Sequence, residues 1–363
     1  MMHVCVIIIL GSNTCVTSSS TKNSLFVVSL SLSLYYISSS SRSFISRFWR
    51  ETGGDETVQK KFEIVFSRML QRSLSSFFCL SAKDSGNIVC RATEAIRANG
   101  FVFVTDLFED KDEFRRYRER LKRYSENVFR DLKNHEEGDI GIGSASGFHE
   151  ICLRSKCRYD LPTWIHGCES RYSWSEEDAF PESLLFCLEE IVRSVLNEES
   201  ENDNVERAFS GIVVSNPGSP DQYWHADSLH EERSHRPANV LNVLVATDSI
   251  PVLKGPTEFI PGSHIMTNHY SNERVDSNIV YQNETNTPES IGMSSGGAFT
   301  MALPARSAVI FDDRILHRGL GNMSSGDRDV AYFSYKRSGF MTDTHFEATR
   351  SLYDGNECFD GGI

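Results

Sequence analysis

Three side chains that can ligate a metal, and one arginine, stand at spacings that let them converge. His225 and Asp227 are separated by one residue, His317 lies 92 positions after His225, and Arg328 follows 11 positions later. Two neutral imidazoles and one carboxylate form the donor set that holds non-haem Fe(II) on one face and leaves coordination positions open. An arginine a short strand beyond the last histidine offers a planar, two-pronged contact to the far carboxylate of a cosubstrate such as 2-oxoglutarate. These residue types indicate a kind of reaction and say nothing of the substrate.

Such a set needs a scaffold that aims all of it inward. In an extended strand, side chains i and i+2 point the same way, so His225 and Asp227 can both face the inside of a barrel, about 7 Å apart along the chain. His317 follows the apolar run 308–311 and precedes Arg318-Gly319, the pattern of a strand end. Trp224 alternates with His225 and is expected to face away from the metal into packing. Two other readings fit the same donors. A zinc hydrolase uses two histidines and a carboxylate with water in the fourth position, although no His-Glu-x-x-His helix is present. A barrel that only binds a ligand is the other, and it has no need of all four residues.

The surrounding elements read as helices first and strands later. Ile88, Val89, Ala92, Ala95 and Ile96 recur at helical spacing and Asn99-Gly100 ends the helix. A compact apolar strand, 101–104, follows, then a charged stretch, 109–133, expected as a solvent-facing helix. Leu184, Leu185, Leu188, Ile191, Val192 and Val195 make a second amphipathic helix, with Pro181 near its first turn. After Ala208 short apolar runs at 211–215, 240–246, 258–260, 279–281, 308–311 and 330–335 alternate with Gly, Pro, Asn and Ser clusters, as in an antiparallel barrel or sandwich. Residues 264–305 read as a long Gly- and Ser-rich insertion, placed where a substrate-covering loop would fit. The loop 230–236 and the trio Arg154, Lys156 and Arg158 carry charges that either meet an acidic substrate or form a solvated surface.

The formal net charge is −13, which argues against the basic footprint that nucleic-acid binding requires. Nine cysteines show no CxxC pair, so neither a structural zinc site nor a disulfide framework is indicated. The first fifty residues contain fourteen Ser and no Asp or Glu, with Lys22, Arg42, Arg47 and Arg50 as their charges. That composition is expected of an organelle transit peptide, plastid or mitochondrial; with a start lower in the chain, at Met69 for instance, the protein is expected in the cytoplasm. The apolar runs 4–10 and 25–37 are each too short to span a bilayer comfortably, so no transmembrane span is expected. The domain expectation is an extension over 1–85, a catalytic domain over 86–345 and a tail over 346–363.

Three blocks then carry a resemblance. Gln222-Tyr223-Trp224-His225-Ala226-Asp227, the run from Gly255-Pro256-Thr257 to Pro261-Gly262-Ser263-His264, and His317-Arg318-Gly319-Leu320-Gly321-Asn322 with Arg328 occur in the order of the phytanoyl-CoA dioxygenase family. The chain resembles that family over roughly 88–340. The resemblance implies a mainly β fold with flanking α-helices, a double-stranded β-helix of the jelly-roll or cupin-like kind. It implies Fe(II), 2-oxoglutarate and O2 as cofactor and cosubstrates, with succinate and CO2 released as a small organic or acyl substrate is oxidised. Carried over by position, it makes His225, Asp227 and His317 the iron ligands and Arg328 the anchor of the 2-oxoglutarate tail. Gln222 matches a family position that either binds the cosubstrate or orients the ligands, and His264 is expected to be structural, closing a tight turn. Iron halogenases of this fold class lack the carboxylate; Asp227 is present, which favours hydroxylation or a related oxidation.

Overall fold

Asn87 caps helix α1 (Ile88–Asn99), its side chain accepting from the Cys90 N–H. Gly100, at φ 85°, ends it in the left-handed conformation that a Cβ disfavours. A Cβ there would also stand 2.6 Å from the His264 ring. The chain then enters β4 (Phe101–Thr105) directly, which is buried on both faces. Phe101 and Phe103 point to one side, Val102 and Val104 to the other, each into its own apolar cluster. That two-sided burial is why the segment reads as a continuous apolar run with no alternation.

The computed structural model describes residues 4–8, 26–30, 78–83, 87–136, 138–197, 205–228, 237–265, 298–340, 348 and 350–353. The chain divides into two units, Met1–Val65 and Phe66–Ile363. In the first, β1 (Val4–Ile8) pairs antiparallel with β2 (Phe26–Leu30). In the second, β3 (Cys79–Ser81), β4, β5 (Cys152–Ser155), β6 (Arg158–Ile165), β7 (Val205–Ser215), β8 (Val240–Ala246), β10 (Ala308–Asp312) and β12 (Arg328–Arg337) form an eight-stranded sheet. Its order is β3-β4-β10-β8-β12-β7-β6-β5, antiparallel except for β3 against β4. A smaller sheet pairs β11 (His317–Gly319) with β9 (Thr257–Phe259), and single bridges extend it from His225 to His317 and from Phe259 to Phe299.

The two sheets enclose an apolar interior built from Phe101, Phe103, Phe259, Phe311 and Ile315. The rings of Phe101 and Phe259 stack at 4.8 Å. Helices α1, α2 (Lys111–Asn134) and α4 (Glu182–Leu196) cover the other face of the large sheet, sharing one core with Val102, Val243 and Ile310. A short helix, α3 (Glu176–Ala179), precedes α4. A large sheet shielded by helices and a small sheet closing over its inner face make the double-stranded β-helix.

Several expectations need correction. Helix α2 is not simply solvent-facing: Phe114, Tyr117, Leu121, Val128 and Leu132 bury one stripe of it. The fold runs past both ends of 86–345, because β3 joins the sheet and Phe78 joins the inner core. Downstream, Leu352 is buried and its N–H donates to Glu150. Strands β5 and β6 show no continuous apolar run, because Arg154, Arg158 and Asp160 alternate with their core-facing residues. The basic trio is not a surface patch: Arg158 is fully buried, and Arg154 forms a two-pronged pair with buried Asp160. The expected strand at 279–281, the loop 230–236 and residues 266–297 of the insertion 264–305 lie outside the described residues. The six described cysteines outside residues 1–65 are all free thiols. No helix among the described residues is long and apolar enough to cross a membrane.

Candidate metal centre

His225, Asp227 and His317 meet at the junction of the two sheets, with one potential ligand atom from each lying within 4.8 Å of the others. Register brings the histidines together. His225 and His317 form an antiparallel bridge, exchanging backbone N–H···O bonds of 3.0 and 2.8 Å, which sets their rings 4.4 Å apart. The segment from His225 to Asp227 is not a regular strand; a bend follows the bridge and turns the Asp227 carboxylate back toward both rings. Asp227 Oδ1 lies 3.9 Å from His225 Nε2 and 3.7 Å from His317 Nε2.

The hydrogen bonds choose the tautomers. His225 Nδ1 lies 2.9 Å from the Tyr223 carbonyl and His317 Nδ1 lies 3.0 Å from that of Ile315. A carbonyl only accepts, so each Nδ1 carries the proton and each Nε2 presents its lone pair to the same point. Burial, reinforced by the neighbouring His317 and opposed by Asp227, lowers the His225 pKa to about 4, so the ring is neutral at physiological pH. These donors suit a small divalent cation. His317 is locked from behind by Phe311, at 4.9 Å, and Phe259, at 5.8 Å.

Asp227 is held at two levels. Its backbone N–H donates to the Asp313 carbonyl at 2.8 Å, and Ser228 Oγ donates to the Asp313 carboxylate. Burial and the adjacent Asp312 push the Asp313 pKa well up. Asn242 Nδ2 donates to Asp227 Oδ2 at 2.7 Å. Neither Asn242 nor Asp313 stood out in the sequence, although an amide inside the apolar run 240–246 was a visible anomaly.

A second polar focus lies beside the strand that carries His317. Arg328, at the start of β12, and Arg158, at the start of β6, are both almost wholly buried. Both donate to Ser215 Oγ, Arg328 through Nη2 at 2.8 Å and Arg158 through Nε at 3.1 Å. Both also reach the Leu320 carbonyl. Among the described residues neither forms an ion pair, and Arg328 Nε is buried with no partner. Burial first, and Arg158 second, lower the Arg328 pKa to about 9; burial, partly offset by Asp221, lowers that of Arg158 to about 10. Two buried cations with an unused donor make a site for an anion. From sequence Arg328 stood out as a carboxylate anchor, whereas Arg158 stood out only as one of a basic trio.

Gly319 explains how these groups come close. A Cβ there would stand 2.6 Å from Gln222 Oε1 and 3.3 Å from Arg328 Nη2, so only glycine admits both. Gln222 Oε1 accepts the Gly319 N–H at 2.9 Å, tying the segment before His225 to the strand after His317. His264 is buried, its Nε2 lying 3.1 Å from the Arg97 carbonyl, in a structural position. Trp224 faces away from the metal donors, buried with Ile260 and Leu316 under the Arg318 guanidinium at 4.7 Å.

Residues 96–330 match the family profile described as phytanoyl-CoA dioxygenase, well over half of the chain. The chain belongs to the phytanoyl-CoA dioxygenase family. All five expected site residues, Gln222, His225, Asp227, His317 and Arg328, fall inside the matched span. This family member is also similar in structure to AviO1 from Streptomyces viridochromogenes Tue57, at 17% identity over 71% of this chain and 99% of that one, TM-score 0.44. It is similar to SnoK, a non-heme alpha ketoglutarate dependent carbocyclase from nogalamycin biosynthesis, at 15% identity over 71% and 86%, TM-score 0.46. A third likeness is to HygX from Streptomyces hygroscopicus with nickel and 2-oxoglutarate bound, at 12% identity over 69% and 87%, TM-score 0.42. No curated protein sequence matches the chain.

Proposed function

We propose that this phytanoyl-CoA dioxygenase family member is an Fe(II)- and 2-oxoglutarate-dependent oxygenase acting on a small organic or acyl substrate. The observation that carries the reading is the pairing of an inward-facing His225–Asp227–His317 triad with an anion site at Arg328, whose buried Nε lacks a partner among the described residues. His225 Nε2, His317 Nε2 and Asp227 Oδ1 would hold the iron. Bound there, Fe(II) supplies the oxidative chemistry in which 2-oxoglutarate loses CO2 and substrate is oxidised.

The chain's own contribution is positioning. Arg328 neutralises and orients the tail carboxylate of the cosubstrate, and Arg158 adds positive potential behind it. The carbonyls of Tyr223 and Ile315 fix the protons on the Nδ1 atoms, so neither imidazole turns its N–H toward the cation. Phe259 and Phe311 exclude water behind His317 and prevent its ring from tilting. A zinc hydrolase has no use for a buried arginine with an unused Nε donor beside the triad, and a binding-only barrel needs no matched pair of tautomers.

The test is anaerobic addition of Fe(II) and 2-oxoglutarate to the full chain, reading the weak visible metal-to-ligand charge-transfer band, with Asp227→Ala and Arg328→Ala beside it. A band in the wild type that both variants lose or weaken is expected. Iron binding with no band in the wild type would reject 2-oxoglutarate as cosubstrate.

A further inference from the structure

Asn242 sits in the middle of β8, in a run that is otherwise apolar (VLNVLVA). Its side chain points inward, away from the helix-facing Leu241 and Val243 on either side of it. It is more than nine-tenths buried, and its Nδ2 donates to Asp227 Oδ2 at 2.7 Å. A flipped amide would set its oxygen against the carboxylate, so the donor orientation is fixed by charge. The consequence is an unmatched acceptor: among the described residues Asn242 Oδ1 has no partner, and neither has Oγ of Ser334, the residue directly opposite on β12. Buried polar atoms without partners are disfavoured and rare. An asparagine retained only for packing would be better replaced by leucine, so the donor to Asp227 is what the position supplies.

We propose that Asn242 is a positioning residue for Asp227, holding Oδ2 so that Oδ1 alone is presented to the metal. The inference rests on the metal-centre reading above and adds to it. A carboxylate free to turn can bind through both oxygens and occupy a position that the cosubstrate or O2 requires. A carboxylate with one oxygen hydrogen-bonded binds through the other. The donor is on β8, in the middle of the large sheet, and Asp227 lies on a bend outside any regular strand, so the rigid element disciplines the irregular one. Asp313 fixes the backbone of that bend, and Asn242 fixes the rotation of the carboxylate.

The experiment measures Mn(II) affinity of the metal-free full chain by electron paramagnetic resonance. Wild type is compared with Asn242→Leu, Asn242→Ser and Asp227→Ala, and the melting temperature of each metal-free protein is recorded. Wild type is expected to bind and Asp227→Ala to lose binding, which tests the metal centre itself. Asn242→Leu, which keeps the branched shape and lacks the donor, is expected to bind Mn(II) about 10- to 100-fold more weakly, with a melting temperature no lower than wild type. Asn242→Ser, which leaves room for a water to donate in its place, is expected to fall between them. Binding by Asn242→Leu within twofold of wild type would overturn the proposal while leaving the metal centre intact. Failure of both Asn242 variants to fold would assign the residue to the fold, which also overturns it. No binding by wild type would instead reject the metal-centre reading.

Discussion

Replacing Arg328 with methionine removes a guanidinium and keeps a side chain of similar length. The loss should fall on cosubstrate binding alone, because nothing else depends on that group. Its two protein acceptors, Ser215 Oγ and the Leu320 carbonyl, each also receive a hydrogen bond from Arg158, at 3.1 and 3.0 Å, so neither is stranded. Burial and the like charge of Arg158 already hold the Arg328 pKa down to about 9, so the folded, metal-free protein disfavours this charge. Its melting temperature is therefore expected to hold or rise in the variant. The 2-oxoglutarate carboxylate, by contrast, loses two charge-assisted hydrogen bonds of about 1.5–2 kcal/mol each. About 3–4 kcal/mol corresponds to a rise of roughly 150- to 1000-fold in the KM for 2-oxoglutarate, read by succinate formation, with Mn(II) affinity unchanged. Arg328→Lys, a point charge without the planar fork, should fall between. A KM for 2-oxoglutarate within twofold of wild type would refute the assignment, as would weakened Mn(II) binding in Arg328→Met.

Three further outcomes follow from the same geometry. His317→Ala is expected to abolish succinate production and Mn(II) binding together; near-normal turnover would remove His317 from the ligand set. Phe259→Ala empties a fully buried ring site against Phe101 and His317 and should cost about 3–5 kcal/mol, seen as a lower urea midpoint. Burial, with Asp327 adding to it, raises the Asp329 pKa from 3.8 to about 6. The folded chain therefore holds a proton there that the unfolded chain releases, and stability falls as pH rises between those values. Asp329→Asn should accordingly stabilise the protein by about 1–2 kcal/mol at pH 7.5 after allowance for partial solvent access. No difference is expected at pH 3.5, and equal melting temperatures for the two proteins at pH 7.5 would count against the raised pKa.

What the sequence by itself determined is the chemistry of the donors and the local elements. His225, Asp227, His317 and Arg328 could be chosen because few residue types ligate iron or grip a carboxylate, and their spacings placed them near strand ends. Helices α1 and α4 were legible because their apolar stripes repeat at helical spacing and their caps, Asn87, Gly100 and Pro181, are local signals. Strands β4, β8 and β10 were legible as short apolar runs.

Only the tertiary structure decided the rest. Strands β5 and β6 escaped notice because the barrel wall they form is lined by Arg154, Arg158 and Asp160, which interrupt any continuous apolar run. The same wall turns Arg158 from a surface lysine-like charge into a buried partner of Arg328, through a hydrogen bond to Ser215 that spans 57 residues. Asn242 acquires its role from Asp227, 15 positions earlier in the chain, and Gly319 from the approach of Gln222 and Arg328. Each of these contacts depends on which strands lie beside each other and in what register. Register is set by the packing of whole sheets, and a one-residue slip would turn every inward donor outward. Local residue pattern carries the identity of a ligand; the closed barrel sets the distance and direction at which it acts.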